Sequence, residues 1–137
     1  MDLTHYQQLP DGMDAADVAR EFERLLSEAE QSGASCAQVA QAFWELADRQ
    51  WHSYELLRPD LRLRVERWFQ QHWSSDAAFI RWVGGVAGGL GLAGLIPLLE
   101  QTARELGDVK LGREIRATLL EIEPHIDDPY WSMKKQE

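Results

Sequence analysis

Residues 82–99, WVGGVAGGLGLAGLIPLL, form an uncharged run of 18 with six glycines and one proline, and how this run divides decides the fold. As one continuous helix it would reach about 27 Å, near the lower limit for crossing a bilayer. Glycine is a poor residue inside a helix, and proline is tolerated only in a first turn, so the run breaks near Leu90-Gly91. The expected pieces are a helix from about Asp76 to Leu90 and another from about Leu92 or Leu95 to Leu106, stopped by Gly107. Gly84-x-x-x-Gly88 and Gly85-x-x-x-Gly89 match the close-packing pattern of membrane helix pairs, but small residues also bring soluble helices together. A buried central helix pair is the better reading, and membrane insertion the weaker one.

Working outward, Val18, Phe22, Leu25, Leu26 and Ala29 recur at the spacing of one helix face between a capping Asp14 and Gly33. Ser35-x-x-Gln38 reads as a capping box for a second helix with the stripe Cys36, Val39, Ala40, Phe43, Leu46 and Ala47, continuing to about Leu56. Asp60 caps a third, whose inner face is Leu61, Val65, Trp68, Phe69 and His72. Leu111, Ile115, Leu119 and Ile122 line a last helix that stops at Pro124. No strand pattern competes. The expectation is an all-α protein of about six helices packed as antiparallel hairpins. Residues 1–13 are expected to be a flexible segment, 14–131 a single domain ending in a loop at 125–131, and 132–137 a frayed tail.

Within 76–123, Asp76-x-x-x-Ile80-Arg81, the Leu90-Gly91 turn and Leu95-Ile96-Pro97-Leu98-Leu99-Glu100 together resemble a HEAT-like helical hairpin. Ile115-Arg116-Ala117 repeats Ile80-Arg81 after 35 residues as a lone helix. The period is short for a HEAT repeat, and glycines stand where alanines are usual. The resemblance implies stacked helix pairs and a protein-binding surface, and it transfers no catalytic residue.

The 137 residues carry a net charge of −9, and nearly all of it lies in residues 1–60, where twelve Asp/Glu face four Lys/Arg. Phosphate contacts need Lys and Arg, so nucleic acid is not an expected ligand. The cluster Arg58, Arg62, Arg64 and Arg67 is expected to pair with Asp60, Glu66 and neighbouring carboxylates. One cysteine, Cys36, cannot form an internal disulfide and reads as a core thiol, and no signal-peptide pattern opens the chain, so a cytoplasmic setting is expected.

Catalytic signatures are missing. The four histidines form no paired metal motif, and there is neither a nucleophile elbow nor a phosphate loop. The best titratable row is Glu45, Asp48, His52 and Glu55 on one side of the second helix, which would hold a divalent cation only if another helix added carboxylates. His125, Asp127, Asp128 and Tyr130 read as a turn. No cofactor or metal is assigned.

Six tryptophans are many for this length, and tryptophan concentrates binding energy at interfaces. Trp44 and Trp51 fall on the border between the apolar stripe of the second helix and its acidic face, whereas Trp68 and Trp82 read as core, and Trp73 and Trp131 stay open. The candidate partner-binding set is Asp17, Glu21, Glu28, Trp44, Glu45, Asp48, Trp51, His52 and Glu55. Small size, acidity and the lack of catalytic signatures are similar to bacterial immunity or antitoxin-type inhibitors. That similarity implies a basic partner such as a toxin nuclease. A HEAT-like adaptor that assembles through residues 82–99, and a metal-dependent helical enzyme, are the alternatives; the oligomeric state stays open.

Overall fold

A computed structural model of the chain describes residues 1–31 and 33–128. It is all-α, with helices α1 (Leu3–Gln7), α2 (Ala15–Gln31), α3 (Cys36–His52), α4 (Pro59–Gln71), α5 (Ala77–Leu90), α6 (Ile96–Leu106) and α7 (Lys110–Ile122). Short 3₁₀ turns cover Ala93–Leu95 and Glu123–His125, and no strand occurs among the described residues. Tyr130, Trp131 and the tail from 132 lie outside the described residues.

The helices start where side chains supply the hydrogen bonds that a first turn lacks. The Asp14 carboxylate accepts from the Asp17 N–H (2.9 Å), Ser35 Oγ from the Gln38 N–H (3.2 Å) and Asp76 from the Ala78 N–H (3.2 Å). α4 differs from expectation, because Pro59 with its pre-set φ takes the first helical position and Asp60 falls inside the first turn. α3 ends at His52 rather than near Leu56: Ser53 caps it, Tyr54 turns to φ 62°, and the Gln50 amide donates to the Glu55 carbonyl (2.6 Å). The chain is thereby drawn back and Leu57 is buried.

The glycine-rich run divides as the sequence suggests. Gly91 adopts φ 72°, ψ 42°, a left-handed conformation open to glycine, and the Leu92 N–H returns to the Ala87 carbonyl at 2.9 Å. Pro97 then sits in the first turn of α6. No helix among the described residues is long and apolar enough to cross a membrane.

The core is organised around α3. Phe43 meets Phe22 of α2 (ring centroids 6.4 Å) and Trp68 and Phe69 of α4 (5.3 and 5.5 Å), and Phe69 continues to Phe79 of α5 (5.7 Å). The phenylalanines are fully buried, each worth roughly 1.5–3 kcal/mol of transfer free energy. α3 packs most extensively on α5 and α6 on α7, while α7 also meets α5. The hairpin expected of α5 with α6 is therefore shared out differently, α5 going chiefly to α3 and α6 to α7.

Glycine makes that arrangement possible. A Cβ on Gly84 would lie 2.6 Å from Thr118 Cγ2, one on Gly88 2.9 Å from Ile122 Cγ2, and one on Gly85 2.6 Å from Trp44 Nε1. Both small-residue rows of α5 are thus met by side chains of this chain, α7 on one row and α3 on the other.

Other expectations are corrected too. The segment 1–13 is not simply a flexible lead-in, since α1 packs on α3 with Tyr6 fully buried. Cys36 and Trp82 are half-buried rather than core, and His72 is exposed after the end of α4. Of the expected arginine pairs only Arg58 forms them among the described residues, with Asp60 and Glu23; Glu66 instead accepts from the Gly94 N–H at 2.7 Å.

Candidate functional site

Seven of the nine residues selected from the sequence fall into two groups. Glu21, Glu28 and Glu45 face inward to α1 and its exit. Glu21 lies 2.8 Å from His5 Nε2, and Glu28 accepts from the Tyr6 hydroxyl (3.0 Å) and Arg24 Nε (2.8 Å). Burial works against ionisation of Glu28, but the hydrogen bonds from Arg24 and Tyr6 outweigh it and hold its carboxyl below the usual value. Tyr6 is pushed above the ordinary phenol range, first by burial and then by its bond to Glu28.

Glu45 is joined to Arg49, which the sequence reading missed. Arg49 is 7% exposed; it donates to Glu45 Oε2 at 2.8 Å, to the Leu9 carbonyl at 2.9 Å and to the Gln7 carbonyl at 3.1 Å. Its fork satisfies the carbonyls with which the chain leaves α1. Two features pointed to it: Arg49 follows Glu45 by one helical turn and interrupts an otherwise acidic row.

The second group forms an outer row. Trp44, Asp48 and Trp51 are spaced i, i+4, i+7 on α3, so they share one side of the helix, and all three are half-buried. Trp44 reaches across to Trp82 of α5, with ring centroids 5.3 Å apart, above the exposed backbone of Gly85. Trp51 meets the His52 ring edge-on at 5.2 Å, and His52 Nδ1–H donates to the Asp48 carbonyl at 2.8 Å. Asp11, 73% exposed, arrives from the turn after α1 and puts its carboxylate within 4.8 Å of the Asp48 carboxylate and a ring nitrogen of His52.

Two selected residues stand apart. Asp17 pairs with Arg20 on the outer side of α2, and Glu55 lies in the connection after α3 rather than on the helix. The row expected of Glu45, Asp48, His52 and Glu55 is consequently not assembled. Its nearest substitute, Asp11 with Asp48 and His52, has the Arg49 guanidinium 3.5 Å from Asp48 and 3.9 Å from Asp11. A fixed positive charge there opposes a divalent cation, so the donor set does not suit one.

What the outer row offers chemically is two neighbouring indole faces with carboxylates at their margin. Compared with known families, curated proteins and solved structures, the chain matches none of them.

Proposed function

We propose that the protein is a non-enzymatic binding module of the immunity or antitoxin kind. It takes a basic protein partner, such as a toxin nuclease domain, on the surface of Trp44, Asp48 and Trp51 of α3 and Trp82 of α5. The observation that carries this reading is the half-buried Trp44–Trp82 pair beside Asp48. Indole faces attract Lys and Arg, and buried tryptophans dominate the energy of many interfaces. Asp48 and the protruding Asp11 stand at the margin, where carboxylates imitate substrate phosphates and the net charge of −9 speeds encounter with a basic surface. A cytoplasmic setting belongs to this reading.

The test is differential capture from the source cell, with the wild-type chain, Trp82→Ala and Asp11→Asn/Asp48→Asn as baits. A basic protein held by wild type, lost by both variants and blocked in its activity by one equivalent of wild type supports the reading. Equal retention by all three baits overturns it.

A further inference from the structure

A second surface differs in chemistry from the first. We infer that the groove between the C-terminal half of α2 and the outer side of α4 is a docking site for a short acidic segment of a partner protein, gripped by Arg64 and Arg67.

The inference begins with an imbalance. The chain has 23 acidic residues against 14 basic ones, and in its acidic half Arg20, Arg24, Arg49 and Arg58 each pair with a carboxylate. Beyond residue 60 only Arg113 has a carboxylate within 4.0 Å among the described residues; Arg64 and Arg67, one turn apart on α4, are two of the unpaired cations and line one groove together, with Glu30 at its edge. Two exposed guanidinium groups converging on one groove favour an acidic group brought from outside.

The groove is built to hold such a group. Its volume is about 410 Å³, and among its mostly polar lining Leu26, Ala29 and Trp68 supply an apolar part of the floor. His72 stacks on Trp68 (4.7 Å, 21° between planes), and its Nδ1–H donates to the Trp68 carbonyl at 2.9 Å, which fixes the ring and leaves Nε2 as its remaining polar atom. A guanidinium fork suits a carboxylate in bidentate fashion, and the apolar part of the floor suits an aliphatic neighbour. Nucleic acid fits less well: two arginines release few counterions, while the net charge of −9 repels an extended polyanion.

The experiment is fluorescence anisotropy at low salt with a labelled peptide containing Glu-Leu-Glu-Glu. Wild type is expected to bind, Arg64→Glu/Arg67→Glu to bind at least about tenfold more weakly, and Arg104→Glu/Lys110→Glu, with the same change in net charge, to stay within about twofold. Circular dichroism and urea midpoints establish that both doubles fold. Absence of wild-type binding, equal loss in the two doubles, or tighter binding of a thymidine oligonucleotide than of the peptide would overturn the inference. Trp82→Ala should leave peptide affinity unchanged, which separates this site from the basic-partner face.

Discussion

The two sides of α3 are held by different physics. Toward α1 the contacts are polar and directional: Arg49 spans Glu45 and two backbone carbonyls, while Tyr6 and His5 of α1 fasten onto Glu28 and Glu21 of the neighbouring α2. Toward α5 the contact is one of shape, with Trp44 over Gly85 and Ala47 against Gly89. An acidic row and a glycine row both read in sequence as surfaces awaiting a partner. In each case part of the row already has one inside the chain, and Trp44, Asp48 and Trp51 lie half-buried between them.

The largest effect should come from the polar side. Arg49→Ala leaves Glu45 and the Gln7 and Leu9 carbonyls without their donor, and a loss of about 3–5 kcal/mol in urea unfolding is expected, with early hydrogen exchange at Tyr6. A loss below about 1 kcal/mol would mean that the Arg49 bonds do not hold α1.

On the side of shape, Gly84→Val should lose about 1–3 kcal/mol, because Thr118 is β-branched and stiff in a helix. Gly12→Val, with nothing within 4 Å of an added Cβ, is the control and should stay within about 0.5 kcal/mol. Equal effects would remove the argument that close approach requires the α5 glycines.

A smaller and pH-dependent effect belongs to Glu28. Its carboxyl is depressed in the folded protein, so its contribution is present above the unfolded value of about 4.3 and fades as pH falls through the lower folded value. The stability gap between wild type and Glu28→Gln should therefore be open at neutral pH and close in acid; a constant gap would contradict the Arg24 and Tyr6 bonds. Least of all, Asp17→Asn should change stability by less than about 1 kcal/mol, since the Asp17–Arg20 pair is exposed.

Much of the fold was legible because capping and periodicity are local. Asp14, Ser35, Asp76, Gly91 and Pro97 mark element ends through bonds and torsions within a few residues. What stayed hidden depends on distant partners. Nothing near Tyr6 announces that Glu28, 22 residues away, will receive its hydroxyl, and nothing near Glu45 shows that Arg49 will reach back 40 residues to Leu9. Helix phase alone placed Trp44 and Trp51 on the border of α3, whereas Trp82 was read as core, since its half-buried position rests on a partner from another helix, Trp44.

The most direct measurement is an NMR titration of the six indole N–H signals with an arginine-rich peptide as the basic probe. The account predicts saturable shifts at Trp44 and Trp82 that disappear in Asp11→Asn/Asp48→Asn, with the Tyr6 and Glu28 amides unmoved. Shifts centred on Tyr6, Glu21 and Glu28, with Trp44 and Trp82 silent, would contradict it.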